Sequence, residues 1–397
     1  MKVAIMGFGT IGSGVYKVLT TNEDVIAKRV GEKLEVAYVL DRRQFPGEPW
    51  EQLVVDDYNI IANDPSVDIV VETMGGVEPA YTFVKTMLEH GKHVTTSNKA
   101  LVADKGADLI KTARDNNVNF LFEASVGGGI PIIRPILECL TGDVIEEISG
   151  IVNGTTNYIM TKMIEDGSEF EDVLKEAQEL GYAEKDPTAD IEGHDAQRKI
   201  AILTSLICGQ QVEYTDIPTE GISNISSNDI KYAKAIGRNI KLLATSTATG
   251  DTYVARVAPY LLAPEHPLFA VSDVFNAIFV HGNMLGDGMF YGSGAGSLPT
   301  ASAVVGDIVE MARHKDENIF LEWKPEKKAL ADASVVESAF FARTKSSKSD
   351  VEGAFGKVEF VEGIVDGEVG FVTDVMTEAD YDSKAAALDI VKMIRVR

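Results

Sequence analysis

The feature that most restricts the fold of this chain is Gly7-Phe8-Gly9-Thr10-Ile11-Gly12, which follows the apolar run Val3 to Met6 at once and leads into Val15, Val18 and Leu19 at helical spacing. Between a strand and a helix, each glycine has a physical task. Gly7 permits the tight turn, Gly9 lets the backbone approach a pyrophosphate, and Gly12 lets the helix pack close to the strand, with the helix N-terminus facing the anion. Further strands are expected at Leu34 to Leu40, Asp68 to Glu72, His93 to Ser97 and Phe120 to Glu123, with a helix at Pro79 to His90. Strands alternating with helices imply parallel, right-handed crossovers, so this part reads as a Rossmann-type, dinucleotide-binding α/β domain.

The second strand ends in Asp41-Arg42-Arg43. At that position an acid accepts the adenosine ribose hydroxyls of NAD, whereas an arginine accommodates the 2′-phosphate of NADP. The chain offers both, so use of NAD and of NADP is expected. A solvated charged loop is the competing reading for either arginine taken singly. Asp41 stands further from the glycine loop than the usual ~20 residues, which the polar insertion Thr21 to Gly31 explains by lengthening the first helix or its loop. Thr73 to Gly76 and Ser97-Asn98-Lys99 fall at the carboxyl ends of strands, where open α/β sheets bind ligands. The run Ala124 to Ile130 is glycine-rich; it reads equally as a hinge between domains or as a loop offering carbonyl oxygens to a hard cation.

From Gly142 onward the pattern changes. A strand is expected at Val144 to Val152, helices at Thr155 to Glu165, Glu169 to Leu180 and His194 to Cys208, and strands at Tyr253 to Leu262 and Asn276 to His281, which reads as α+β. Leu298 to Arg313 is a helix returning to the nucleotide domain. The expected domains are therefore 1–130 with 298–320, 131–297, and a tail at 336–397. The tail, with strands at Ala339 to Arg343, Val358 to Ile364 and Val369 to Val375 and helices at Asp350 to Phe355 and Ser383 to Val391, follows a β-α-β-β-α-β order and is expected to be ACT-like.

Chemistry concentrates in Ala177 to Lys199, AQELGYAEKDPTADIEGHDAQRK. Pro187 stops any preceding helix, Gly193 allows a tight backbone, and Ala196, Ile200, Leu203 and Ile207 then recur at helical spacing. Asp195 and Lys199 share a different face, one turn apart; the bland reading is a surface i, i+4 ion pair worth a few tenths of a kcal/mol. A formal charge of -24 argues against nucleic acid as a partner, and no apolar run reaches transmembrane length. The two cysteines, Cys139 and Cys208, lie in apolar helical patterns, which suits buried thiols in a reducing, cytoplasmic setting.

Ala177, Gly181, Asp186, Pro187, Asp190, Ile191, Gly193, Asp195 and Lys199, together with Asn153-Gly154-Thr155-Thr156-Asn157-Tyr158 and Gly294 to Thr300, resemble the signature of homoserine dehydrogenases over roughly residues 1 to 315. The resemblance implies NAD(P)-dependent interconversion of L-homoserine and L-aspartate 4-semialdehyde. It implies Lys199 as the acid-base group, Asp195 orienting the substrate hydroxyl, and Lys99 at the junction of nicotinamide and substrate. Glu184 and Asp190 would bind the substrate ammonium, with Thr156 (or Thr155) and Tyr182 adding hydrogen bonds. The glycine loop (Gly7, Phe8, Gly9, Thr10, Ile11, Gly12), Asp41, Arg42, Arg43, Thr73, Lys99 and Gly296 would hold the cofactor. Glu123 with the carbonyls of Val126, Gly128 and Ile130 would hold a sodium ion, and the catalytic domain would form a homodimer with its twin. In relatives such a tail binds amino-acid regulators. The aspartate-proline-glycine turn of ACT ligand sites is missing here, so no response to threonine is expected, and a chain ending near Glu337 is expected to stay active with reduced stability or altered assembly. Two other readings compete. An aspartate semialdehyde dehydrogenase would need an exposed low-pKa cysteine at a helix start, and a non-catalytic dinucleotide sensor could dispense with Asp195 and Lys199.

Overall fold

The computed structural model describes all 397 residues. They divide into two compact units, one of residues 1–143, 201–213 and 292–328, the other of residues 144–200, 214–291 and 329–397.

The first unit is built on six parallel strands: β1 (Lys2–Met6), β2 (Glu35–Leu40), β3 (Val54–Val55), β4 (Val67–Glu72), β5 (His93–Thr96) and β6 (Phe120–Leu121). Their order, β3-β2-β1-β4-β5-β6, reverses between β1 and β4, which creates a crevice at the carboxyl ends of those strands. Val3, Ile5, Val39, Ile69 and Val71 form one buried face with Val15 and Leu19 of α1 (Thr10–Thr21) and Val304, Ile308 and Met311 of the returning helix, α11 (Ser297–Arg313). The two helices touch so closely that a Cβ on Gly14 would sit 2.9 Å from the Ser297 carbonyl oxygen. The polar insertion does not lengthen the first helix: it is a separate helix, α2 (Glu23–Val30), with Glu23 and Asp24 in its first turn, Lys28 and Arg29 in its last and Gly31 in the left-handed region ending it. Helices α3 (Tyr58–Asn63), α4 (Ala80–Glu89) and α5 (Lys99–Asp115) complete the crossovers. The last strand is shorter than expected. It stops at Leu121, because Glu123–Ser125 turn as a short 3-10 helix that buries the Glu123 carboxyl. A small parallel pair, β8 (Gln210–Gln211) with β13 (Lys324–Lys327), also belongs to this unit.

The second unit is a ten-stranded mixed sheet. Its order begins β12 (Gly286–Ser293), β11 (Phe275–Gly282), β7 (Ile145–Ile151), β9 (Asn239–Thr249) and β10 (Thr252–Leu262), and continues through β18 (Ile390–Val396), β14 (Glu337–Thr344), β16 (Val369–Val372) and β15 (Glu359–Val361), with β17 (Met376–Thr377) against β14. Helices α6 (Gly154–Asp166), α7 (Phe170–Glu179), α8 (Thr188–Ile191), α9 (His194–Cys208) up to Ile200, and α10 (Ser227–Ala235) accompany it. The tail adds α12 (Lys348–Phe355) and α13 (Glu378–Ala385) in a β-α-β-β-α-β chain order whose strands run β18-β14-β16-β15, all antiparallel, a split βαβ arrangement. It has its own apolar cluster, Phe340, Ala342, Val351, Phe371 and Tyr381. Yet β18 also pairs in parallel with β10, so the tail continues the sheet of this unit. The second tail helix lies earlier than expected: Thr377 caps it by accepting from the Asp380 N–H, and Ile390–Val396, read as helix up to Val391, is strand. Cys139 is exposed at the end of a helical turn and Cys208 half-buried, so the expectation of two buried thiols fails for Cys139.

Candidate functional site

In the first unit the glycine loop has the geometry of an anion cradle. Gly7 lies at φ +89, and a Cβ there would meet Met74 Cγ at 2.9 Å; a Cβ on Gly12 would fall 2.0 Å from the Gly7 carbonyl oxygen. No side chain larger than hydrogen fits either place. At Gly9 nothing lies within 4 Å, so the space in front of it is open. Gly9 is also the N-cap of α1 and offers no side-chain cap, which leaves first-turn N–H groups to face that space. Thr73 Oγ1 donates to the Gly7 carbonyl oxygen at 2.7 Å and fixes the turn, and Ser297 Oγ donates to the Thr10 carbonyl oxygen at 2.7 Å, setting Gly296, the N-cap of α11 at φ +112, beside the start of α1.

The end of β2 is tied to the same loop. Asp41 Oδ2 accepts the Phe8 N–H at 3.0 Å, and Arg43 closes on Asp41 with Nε to Oδ1 at 3.0 Å and Nη2 to Oδ2 at 2.7 Å. The guanidinium holds the Asp41 carboxyl at about 2, well below the usual carboxylate range. Phe8 packs with Tyr16, Phe45 and Trp50 in an aromatic cluster that fastens the Gln44-to-Leu53 segment to the loop. Arg42 is exposed.

Two groups here escaped the sequence reading. Glu72, fully buried at the end of β4, accepts the Met74 N–H at 2.6 Å and the Thr96 hydroxyl at 2.5 Å, and burial pushes its carboxyl up. It holds the Thr73-to-Gly76 turn to β5. Asn98 caps α5 and donates to the Gly76 carbonyl oxygen at 2.5 Å, which puts Lys99, half-buried, on the first turn of that helix. In the sequence Glu72 reads only as the last residue of a strand and Asn98 only as part of a strand-end segment, neither with a role of its own.

In the expected cation loop the Glu123 side chain also organises the backbone. The Glu123 carboxylate binds backbone: Oε1 accepts the N–H of Ile132 at 2.6 Å and of Ile133 at 2.9 Å, and Oε2 that of Arg134 at 2.7 Å. Oε2 accepts only that one N–H, so most but not all of the carboxylate's acceptor capacity goes to this turn. The carbonyl oxygens of Val126, Gly128 and Ile130 accept no backbone hydrogen bond, and the buried Ser125 hydroxyl has no partner, so the loop offers oxygens that fit a hard cation.

In the second unit the acidic segment and the Asn153-to-Tyr158 motif converge. Asn153 caps α6 through Oδ1, which accepts the Thr156 N–H at 2.9 Å, while its Nδ2 donates to Asp190 Oδ1 at 2.7 Å and to Asp195 Oδ2 at 2.9 Å. Lys199 Nζ lies 2.8 Å from Asp195 Oδ2 and donates to the Val152 carbonyl oxygen at 2.6 Å. Asp195 is 3% and Lys199 7% exposed, which removes the surface ion-pair reading. A carboxylate, an ammonium and an amide thus share one buried network, an arrangement that can hold a proton donor and orient a hydroxyl. Thr156 is buried and its hydroxyl turns to Asn153 Oδ1 at 3.0 Å, so it supports Asn153 directly. Thr155 Oγ1 donates to the Tyr182 carbonyl oxygen at 2.7 Å; the Tyr182 ring is 45% exposed against Tyr158, and Glu184 is exposed. The structure therefore brings Asp190, Asp195 and Lys199 together, with Thr156 behind Asn153, while Glu184 is exposed. Asn153 was named within its motif but given no role; its signal was an asparagine between a strand and a helix. Neither cysteine stands at a helix start, and burial pushes the Cys208 thiol up.

Comparison with known proteins agrees with this picture. The family model described as homoserine dehydrogenase matches residues 131–309, and that described as homoserine dehydrogenase, NAD binding domain matches residues 7–123. The homoserine dehydrogenase of Bacillus subtilis is 40% identical over 369 residues, 91% of this chain and 84% of that protein. The crystal structure of a homoserine dehydrogenase from Thiobacillus denitrificans superposes with a TM-score of 0.91 at 34% identity, covering 100% of this chain and 98% of that one. A hyperthermophilic archaeal homoserine dehydrogenase in complex with NADPH gives a TM-score of 0.67 at 28% identity over 78% of this chain and 97% of its own.

Proposed function

The chain belongs to the homoserine dehydrogenase family, and from that premise we propose how its residues share the reaction. The activity is that of an oxidoreductase on a CH–OH group, interconverting L-homoserine and L-aspartate 4-semialdehyde with NAD(P), a step of amino-acid biosynthesis. The cofactor, when bound, supplies or accepts the hydride. The glycine loop fits its pyrophosphate because Gly9 faces open space and the α1 N-terminus is uncapped. Gly7, Phe8, Gly9, Thr10, Ile11, Gly12, Thr73, Lys99 and Gly296 would line that site, with Asp41, Arg42 and Arg43 at the adenosine ribose. Use of both cofactors follows from an acid and arginines at one strand end, and a relative crystallised with NADPH supports the phosphorylated form.

Lys199 gives the proton to the carbonyl oxygen during reduction and takes it back during oxidation. The observation that carries this role is the buried contact of Lys199 with Asp195 and the Val152 carbonyl, which fixes the ammonium at a single place. Asp195 orients the hydroxyl. Asp190 and Glu184 receive the substrate ammonium, Tyr182 adds a hydrogen bond, and Thr156 acts through Asn153. A monovalent cation, with sodium as the candidate, would sit on the carbonyls of Val126, Gly128 and Ile130 and brace the loop that Glu123 folds. A homodimer in the cytoplasm completes the proposal; no helix is long and apolar enough to cross a membrane. Initial rates with aspartate semialdehyde and each of NADH and NADPH test the whole: turnover with neither would sink it.

A further inference from the structure

We propose that Arg43 acts as a screen for Asp41, and that Arg42 is the residue that meets a 2′-phosphate; the inference rests on the cofactor site assigned above. Asp41 cannot swing away from the end of β2, because Oδ2 accepts the Phe8 N–H at 3.0 Å and Oδ1 the Arg43 N–H at 2.9 Å. Its charge therefore stays where this fold reads the adenosine ribose. A bare carboxylate there accepts from a 2′-hydroxyl and repels a 2′-phosphate, a group with a charge of about −1.5 to −2 at neutral pH.

Arg43 removes that repulsion. Its Nε and Nη2 form a bidentate pair with Asp41 at 3.0 and 2.7 Å, and Nη2 also donates to the Phe8 carbonyl oxygen at 2.8 Å. The guanidinium further lies over the Phe45 ring, 5.2 Å from its centroid. Turning it outward to grip a phosphate would break the pair and uncover the carboxylate beside that same phosphate. Arg42 has no such tie: it is exposed and makes no hydrogen bond or ion pair. Its fork can meet the phosphate without unmaking anything.

The two arginines should consequently fail in different ways. Losing Arg42 removes a contact, and the loss does not depend on the charge of residue 41. Losing Arg43 uncovers a repulsion, which disappears when Asp41 is made neutral. A double-mutant cycle separates them. Dissociation constants for NADPH and NADH are measured on the full chain and on Arg42→Ala, Arg43→Ala, Asp41→Asn, Arg43→Ala/Asp41→Asn and Arg42→Ala/Asp41→Asn, with thermal melts to confirm folding. Asparagine keeps an oxygen for the Phe8 N–H. Arg43→Ala should weaken NADPH about 10-fold or more with NADH held within about 3-fold, and adding Asp41→Asn should bring NADPH back to within about 3-fold of the unmodified chain. Arg42→Ala should cost NADPH about 10-fold in either background. Failure of Asp41→Asn to rescue Arg43→Ala would show direct contact by Arg43 and overturn the screen. Equal loss of both cofactors would overturn it too, since the pair would then only shape the glycine loop. Binding of neither cofactor by the unmodified chain would instead overturn the site assignment itself, before any substitution is made.

Discussion

Lys199 depends on neighbours that the chain supplies from far apart. Asp195 is one helical turn away and legible from spacing, but the Val152 carbonyl and the Asn153 amide come from the end of another strand. What spacing could not show was burial: an i, i+4 acid and lysine read as a solvated pair until β7 and α6 cover them. Replacing Lys199 with alanine should lower turnover by ~10²-fold or more while NADPH and NADH affinities stay nearly intact, because the group acts on the substrate's proton and not on the cofactor. Turnover like the parent's in a folded variant would contradict the assignment. Asn153 gives a separate test. Its Nδ2 stands between Asp190 and Asp195, so Asn153→Ala leaves two carboxylates without the donor they share. The lost bonds to charged groups, at about 1.5 to 3 kcal/mol each, should lower kcat/KM for the semialdehyde by at least about 10-fold. An unchanged kcat/KM would make Asn153 a helix cap only.

Among elements, the glycine loop and its flanking strand and helix were legible because sterics leave no alternative: no Cβ fits at Gly7 or Gly12. Strand β9 was not, and Lys241 shows why. Lys241, the third residue of Asn239–Thr249, interrupts the apolar pattern at the strand's start, yet it is 2% exposed, with Nζ donating to Asn157 Oδ1 at 3.1 Å and to the Val271 carbonyl oxygen at 2.5 Å. Asn157 in turn donates to the Asp273 and Phe275 carbonyl oxygens, latching that loop to α6. The tail helix was misplaced for a similar reason. The cap at Thr377 outweighed a weak helical pattern further on, and pairing with β10 and β14 made Ile390–Val396 a strand. Burial pulls the Lys241 ammonium down from 10.5 to about 8. Between those values the unfolded chain binds the proton and the folded one does not, so this group's contribution to stability rises with pH through that window and is lowest below about 8. Across the whole window this amounts to about 3 kcal/mol. Urea unfolding at about pH 7.5 and about pH 9.5 should show this slope in the parent and lose it in Lys241→Met. Parallel pH trends in the two proteins would mean that Lys241 stays charged in the fold.

At the scale of the molecule, the sequence suggested a tail that could be removed without loss of activity, because its β-α-β-β-α-β order lacks a recognisable ligand turn and so a means of coupling to the catalytic site. Sheet continuity argues otherwise, and it is invisible to local pattern since it joins Tyr260 and Leu261 to Arg395 and Val396. β18 lies inside the sheet, between β10 and β14. Its Arg395 and the following Arg397 also complete charges on the other elements of that unit: Arg395 pairs with Glu220 at 2.7 Å and with Glu378 at 2.5 Å, Glu378 also holds Arg256, and Arg397 reaches Glu147 at 2.5 Å. Arg256 is 7% exposed, so removing Glu378 leaves a buried cation without its partner. Breaking such a pair from one side costs about 3 to 5 kcal/mol, a large part of the 5 to 15 kcal/mol that holds a domain together. The edge of β10 would be bared as well, an invitation to aggregation. A chain ending near Glu337 should therefore be insoluble or melt far below the full chain, a loss larger than the reduced stability expected from sequence and one that opposes the expectation of retained activity. Arg395→Met in the full chain separates the two causes, since it keeps the strand and removes the charge. A melting temperature lowered by several degrees, but less than in the truncated chain, would assign part of the stability to the ion network and the rest to strand pairing; a truncated chain with parental melting temperature and turnover would show that the sheet does not need β18.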